Sequence, residues 1–448
     1  MDYCDEDVIV APATSPQMKT ALAIVRVSGS GCFEYLTHCF RSLSGKKPRS
    51  WKMVYGEWLD DRGIIDDVML VCYAAPRSYT GQDMIEITCH GNPLFVEDVI
   101  RSLLVMGARR ARPGEFTMRA VLAGKMDLLQ AEAVHTLVEA NTRYQADLVR
   151  RQSKGPLVPF VGGRVEDVLQ IQAHIEATID YGEEDIDALE RDHLLFKMDT
   201  LLADFEGLRL TGGFAKGMRR GFKVLLTGAP NVGKSTLFNR LVQEERAIVT
   251  SLPGTTRDLI SEEIEIRGLP VVLIDSAGVR ETDDYVENLG MEKIFKKLED
   301  VDLVLYLSES GSSQPAFDAL LALPQEKWLR VVTKIDLVDE DKGDIGEIIG
   351  VSAQSGAGLE RLEEEVVVRL SSAMEGQSVY LINQRQEEVI AQVIEQLRAA
   401  RNEFAAGFGE EILSAYLNHV RRLLGELTGE TTTEDVLDRM FSNFCLGK

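Results

Sequence analysis

The chain has 448 residues, 45% hydrophobic and 27% charged, with a formal net charge of −23 from 49 basic and 72 acidic side chains. At roughly 150 residues per domain the length gives about three domains, and the acid excess excludes a surface that binds nucleic acid indiscriminately. The acidic opening MDYCDEDVIV is unlike a signal or transit peptide and no apolar run reaches the ~20 residues of a membrane span, so a cytoplasmic protein with no membrane partner is expected.

Local basic runs remain at GKKPR (Gly45 to Arg49), ARRAR (Ala108 to Arg112) and VRRQSK (Val149 to Lys154). Each reads as a solvated face or loop before it reads as an RNA contact. The six cysteines form no C-x-x-C pair and the six histidines no H-E-x-x-H motif, which argues against a disulfide framework and a structural zinc. Cys72 and Cys89 lie inside apolar, strand-like runs and are expected to be small core residues.

From Asp7 to about Val121, β-rich runs (ALAIVRVSG, DDVMLVCYAA, DMIEITCHG) alternate with a helical stretch near Leu94 to Met106, an α+β pattern. From Leu122 to about Leu210 the period becomes helical, through Leu128, Ala131, Val134, Leu137 and Val138, then Val168, Ile171, Ile175 and Ile179. At Gly221 β-α alternation begins: FKVLLTG, a helix from Ser235, PVVLIDSAG, VDLVLYLSE, LRVVTKID and GEIIGVSA. That order implies a doubly wound, mostly parallel sheet. After about Leu370 helical periodicity returns, through Val389, Val393 and Leu397, then Ile412, Tyr416, Val420 and Leu423. The expected fold class is multidomain α/β plus α. Its expected parts are an N-terminal α+β domain at 1–121, a helical domain at 122–215 and 373–448, and an inserted P-loop domain at 216–372.

GAPNVGKS (Gly228 to Ser235) fits G-x-x-x-x-G-K-S between an apolar strand and a helix. Glycines let backbone N–H groups curl around phosphates, Lys234 neutralises them, and Ser235 can ligate Mg²⁺. Asn231, Val232, Gly233 and Thr236 complete the cradle. In LIDSAG, Asp275 ends a strand within reach of the metal and Gly278 can offer its N–H to a γ-phosphate. In TKID (Thr333, Lys334, Asp336), the Asp336 carboxylate can take two hydrogen bonds from a guanine edge, and VSA (Ser352, Ala353) can back the base. In this order after a P-loop these stretches specify a GTPase.

Two departures from the usual pattern are visible. Thr333 stands where guanine loops commonly carry asparagine, which weakens one hydrogen bond by about 1 kcal/mol. Val279 follows Gly278 where Ras-like GTPases carry a water-orienting glutamine, so hydrolysis needs another positioning group and another positive charge. TSLPGTTRD (Thr250 to Asp258) reads as the switch loop, with Thr256 a second Mg²⁺ ligand. At the C-terminus, Cys445 leaves four readings open: a lipidation box, half a disulfide, a metal ligand or a tethered reactive thiol. CLGK fits prenylation poorly.

GAPNVGKST, SLPGTTRD, DSAGVRETDDYVENLG, RPGEFTMRAVLAGKMDLLQAEA and the terminal FCLGK together resemble the MnmE (TrmE) family of bacterial tRNA-modification GTPases, over essentially the whole length. The resemblance implies a homodimeric GTPase whose G domains meet around a potassium ion. Asn231, Thr250, Leu252 and Thr255 would hold that ion, and Glu287 would position water. It implies an N-terminal domain that binds 5-formyl-tetrahydrofolate or a related one-carbon tetrahydrofolate through Arg26, Glu86, Lys125 and Lys448. Where relatives carry a glycine-rich loop ahead of that strand, this chain has Gln17, Met18 and Lys19. Cys445 becomes the candidate nucleophile. With the FAD-dependent partner MnmG (GidA), such a protein installs an aminomethyl-type group on the wobble uridine of certain tRNAs. A ribosome-assembly switch GTPase and a folate-dependent one-carbon transferase with a regulatory G domain are the competing readings.

Overall fold

The computed structural model describes residues 7–15, 17–153, 157–181, 188–244, 260–275, 301–309, 324–337, 348–371, 380–407, 410–430, 437, 440–442, 444 and 446–447. The chain divides into two compact units, Met1–His135 with Gly425–Lys448, and Thr136–Leu424.

The first unit holds a seven-stranded sheet built from β1 (Ile9–Pro12), β2 (Leu22–Ser28), β3 (Phe40–Ser42), β4 (Met53–Asp60), β5 (Gly63–Tyr73), β6 (Met84–His90) and β7 (Arg109–Arg110). Its order is β3-β4-β5-β6-β2-β1-β7, antiparallel except for the β1–β7 pair. Strand alternation sends Ala23, Val25 and Val27 of β2, and Val68, Leu70 and Cys72 of β5, to one buried face. A one-turn helix α1 (Leu36–Cys39) and the longer α2 (Pro93–Val105) contribute to the same core. Asn92 caps α2 by accepting the Leu94 N–H, Pro93 starts it, and Val96, Val99, Ile100 and Leu103 are its buried stripe. Burying one such side chain contributes roughly 1.5–3 kcal/mol. Trp58 is wholly buried and its indole N–H finds the Ser102 hydroxyl at 2.9 Å.

Cys72 and Cys89 are core residues as expected, their thiols pushed up to about 11 by burial. The same unit contains α3 (Glu115–Leu122) and the start of α4 (Leu128–Val138). Of the expected α4 stripe, Leu128 and Ala131 are buried while Leu137 and Val138 are exposed. Leu437, Phe441 and Phe444 close over Met118, Leu128 and Ala131, tying the end of the chain to this unit.

The second unit combines helices with a six-stranded sheet. Its helices are α5 (Arg143–Ser153), α6 (Leu157–Tyr181), α7 (Ala188–Arg220), α8 (Lys234–Glu244), α9 (Leu359–Ser371), α10 (Gln384–Ala405) and most of α11 (Glu410–Thr428). The strands β8 (Phe222–Gly228), β9 (Ile260–Ile266), β10 (Leu269–Asp275), β11 (Leu303–Glu309), β12 (Trp328–Thr333) and β13 (Ile348–Gly350) run in the order β13-β12-β11-β8-β10-β9. All neighbours are parallel except the β9–β10 hairpin. This is the multidomain α/β plus α class that the sequence implies.

Helices from the two flanks of the sheet segment pack together. Arg401 and Arg398 of α10 pair with Asp199 and Glu206 of α7, and Gln172 of α6 reaches Asn418 of α11 at 3.0 Å. On α11 the buried residues include Leu413, Leu417, Val420, Leu423 and Leu424, so the expected Val420 and Leu423 are buried while Leu413 and Leu417 take the places expected of Ile412 and Tyr416. No helix among the described residues is long and apolar enough to cross a membrane.

Candidate functional site

β8 feeds the loop 228–233 into α8. Gly228 approaches β11 so closely that a Cβ would strike the Leu307 carbonyl, a position only glycine can take. Asn231 stands at φ +60°, left-handed backbone that asparagine tolerates better than most residues. The Leu237 N–H closes onto the Gly233 carbonyl at 2.9 Å, so the positive end of α8 begins at the loop. Lys234 Nζ donates to the Gly228 and Ala229 carbonyls at 2.9 and 2.8 Å. The Ser235 hydroxyl donates to Asp275 Oδ2 at 3.0 Å, and Asp275 ends β10 only 1% exposed. A hydroxyl beside a carboxylate at a phosphate loop is the hard-oxygen donor set that suits Mg²⁺.

The base-binding candidates sit at the same edge of the sheet. Thr333 ends β12, is buried, and donates its hydroxyl to the Val232 carbonyl at 2.6 Å. At the position where an asparagine is expected, this hydroxyl joins the end of β12 to the loop 228–233. Lys334, at φ +59°, adds a second link by donating to the Asn231 carbonyl at 2.9 Å. Asp336 is exposed on the turn Ile335–Leu337. Ser352 is fully buried; its N–H reaches the Ala357 carbonyl at 2.9 Å and its hydroxyl accepts from the Ser355 N–H at 3.2 Å. Ala353 packs at the edge of the core. Thr236 is exposed on the first turn of α8.

In the first unit Arg26 and Glu86 stand directly opposite each other on β2 and β6 and pair at 2.8 Å. Alternation places them on the sheet face away from Val25 and Val27. Tyr73 donates to the other Glu86 oxygen at 3.1 Å, and the Tyr79 ring lies 5.8 Å from the Arg26 guanidinium. Lys125 runs along the adjoining loop at Gly81. Arg26 Nη1 also donates to the Gly447 carbonyl at 3.1 Å, so the C-terminal segment meets this pair. Thr250, Leu252, Thr255, Thr256, Gly278, Glu287, Cys445 and Lys448 lie outside the described residues.

A family model described as the MnmE helical domain matches residues 128–445, and one described as the GTP-binding protein TrmE N-terminus matches residues 8–125. The tRNA modification GTPase MnmE of Aquifex aeolicus is 38% identical over 98% of this chain and 99% of its own length. That of Thermotoga maritima is 40% identical over 99% of this chain and 100% of its own. The chain belongs to the MnmE family of tRNA-modification GTPases. Among solved structures, the G domain of the T. maritima FeoB iron transporter is similar at 29% identity, covering 33% of this chain and 98% of that one with a TM-score of 0.26.

Within this MnmE-family chain, Arg109 of the ARRAR run pairs with Asp7 and Glu115, and Arg110 pairs with Glu97. Arg109 thus serves a buried carboxylate of the fold, whereas the Arg110–Glu97 pair is exposed and contributes little to stability. Sequence reasoning missed Tyr73 and Tyr79, whose placement depends on strand register, and the Thr333–Val232 contact. It also missed the buried Glu115–Arg119 pair, although spacing of four on a helix is a readable sign of such a pair.

Proposed function

We propose that the chain hydrolyses GTP at the loop 228–235 and, with the FAD-dependent partner MnmG, modifies the wobble uridine of certain tRNAs with an aminomethyl-type group. The observation that carries this reading is the Gly447 carbonyl on Arg26, itself paired with Glu86. It supports the reading that the terminal C-L-G-K motif acts at the face whose residues suit a folate. An arginine and a lysine match an anionic glutamyl tail, and a carboxylate matches the N–H donors of a pterin. A one-carbon tetrahydrofolate held by Arg26, Glu86, Lys125 and Lys448 would supply the carbon unit. Cys445 is the nucleophile in this reading.

At the nucleotide site Lys234 neutralises the outer phosphates, while Asp336 selects guanine, with Ser352 and Ala353 backing the base. Mg²⁺ would be held by Ser235 and Thr256, with Asp275 behind Ser235, and would offset phosphate charge. K⁺ would be held by Asn231, Thr250, Leu252 and Thr255 where two G domains of a homodimer meet, supplying the positive charge an arginine finger gives elsewhere. Glu287 then positions the attacking water in place of the glutamine that Val279 displaces. Closure and reopening of the G domains couples hydrolysis to the modification centre, and binding at that centre alters nucleotide affinity in return.

The test is nucleoside mass spectrometry of tRNA from a bacterial strain lacking its own MnmE, complemented with this chain or with Cys445→Ser. The wild-type chain is expected to restore the wobble modification. The variant is expected to fail while still hydrolysing GTP. Restoration by both removes Cys445 from the chemistry, and restoration by neither despite soluble expression favours the ribosome-assembly switch.

A further inference from the structure

The R-P-G-E-F turn at 112–116 and the terminal glycine meet the two ends of one segment. Gly114 stands at φ +67°, and a Cβ there would lie 2.8 Å from the Phe441 carbonyl oxygen and 2.9 Å from both Phe441 Cδ1 and Phe444 Cβ. The C-terminal segment therefore rests on a bare α-carbon. At the other end Gly447 stands at φ +84°, where a Cβ would strike the Pro12 carbonyl and lie 2.8 Å from Ala13 Cα. Neither contact leaves room for a methyl group, and neither backbone conformation suits an L side chain.

The receiving turn is itself fixed. Glu115 is 1% exposed and accepts from the Arg112 N–H and from Arg109 Nη1, each at 2.8 Å, and from Arg119 Nη2 at 3.1 Å. Arg119, 3% exposed, donates onward to the Asp7 carbonyl at 2.9 Å and Gln82 at 3.0 Å. The turn cannot retreat from an added methyl without breaking this network. Between the two glycines, the Phe444 ring stacks on His135 at 4.5 Å and 17°, and the Phe444 N–H closes onto the Phe441 carbonyl at 2.9 Å.

We propose that Gly114 and Gly447 are positioning residues that seat the C-terminal segment at a fixed height over the Arg26–Glu86 pair. Gly114 sets where the segment leaves the hydrophobic cluster of Met118, Leu128, Phe441 and Phe444, and Gly447 sets where its backbone reaches Arg26. One glycine belongs to the seat and the other to the segment, so the proposal does not depend on damage to a single place. It rests on the reading that this segment carries a reacting group to the folate-binding face.

The test uses the full chain with Gly114→Ala and, separately, Gly447→Ala. Hydrogen exchange of the C-terminal peptide, followed by mass spectrometry without RNA, is expected to speed up about tenfold in both, the scale set by backbone strain of this kind. Wobble modification in the complemented strain is expected to fall in both, with GTP turnover within twofold of wild type. Gly447 lies beyond the last residue of the hydrophobic cluster, so its variant should unfold at the wild-type temperature and carries the test if Gly114→Ala does not fold. Wild-type exchange in Gly447→Ala overturns the proposal, as does faster exchange with undiminished modification. A Cys445→Ser chain that modifies tRNA normally sinks the thiol-delivery reading instead, and leaves the exchange result to judge the seat alone.

Discussion

Thr333 shows how one side chain can serve two loops. Its hydroxyl, buried at the end of β12, donates to the Val232 carbonyl at 2.6 Å, and the neighbouring Lys334 donates to the Asn231 carbonyl. The loop after β12 thus braces the loop 228–233 from which α8 starts. Thr333→Val keeps the volume and removes the donor, which leaves the Val232 oxygen short of a partner at a cost of about 1–3 kcal/mol. Titration of a fluorescent GDP analogue is expected to show affinity weakened by roughly five- to a hundredfold. Thr333→Ser, which keeps the hydroxyl, should bind near the wild-type level. Equal affinity in the valine and serine variants would show that the hydroxyl does not shape the site.

At the scale of elements, the turn before α3 depends on a buried charge network. Burial raises the Glu115 carboxyl, but Arg109, the Arg112 N–H and Arg119 together outweigh it and hold the group below its usual 4.5. A carboxylate whose folded value is depressed contributes stability that is complete above its unfolded value and is lost as pH falls through the folded one. Glu115→Gln is therefore expected to be destabilised near neutral pH by about 3 kcal/mol, the lower end for breaking a buried pair. The gap to wild type should narrow below about pH 4.5 in urea unfolding. A gap that is constant from pH 7 to pH 3 would refute the charge contribution. Elements with a clean period were legible in the sequence: β2, β5, β6, β8 and β10 to β12 alternate or run apolar between turn residues. β9 escaped because ISEEIEI sets acids along an exposed edge, and β1 because IVAP is only four residues long. Arg26 was legible as a charge interrupting an apolar strand. Its contact with Gly447 was not, since 421 positions separate them and only the folded first unit brings them together.

For the whole molecule the remaining question is what completes the transition state. Val279 cannot hydrogen-bond to water, and the chain carries a net charge of −23, so phosphoryl transfer needs positive charge and water placement from elsewhere. Asn231 sits at the turn of the phosphate loop, exposed and with left-handed backbone, and in the proposed mechanism it is one of the ligands of a cation. A cation completing that site only when two G domains meet would couple hydrolysis to assembly, and its contribution should approach the 10³-fold or more that an arginine finger supplies. GTP turnover is therefore expected to rise in KCl over NaCl at equal ionic strength, and to rise per chain with protein concentration in KCl alone. Sodium and potassium screen surface charge alike, so a difference between the salts isolates a site with a size requirement. Glu287→Ala should lower turnover in KCl without changing nucleotide affinity, because a water-positioning group acts on the reacting complex and not on binding. Equal rates in both salts would remove the cation and require another source of positive charge, while leaving the roles proposed for Ser235, Asp275 and Asp336 untouched.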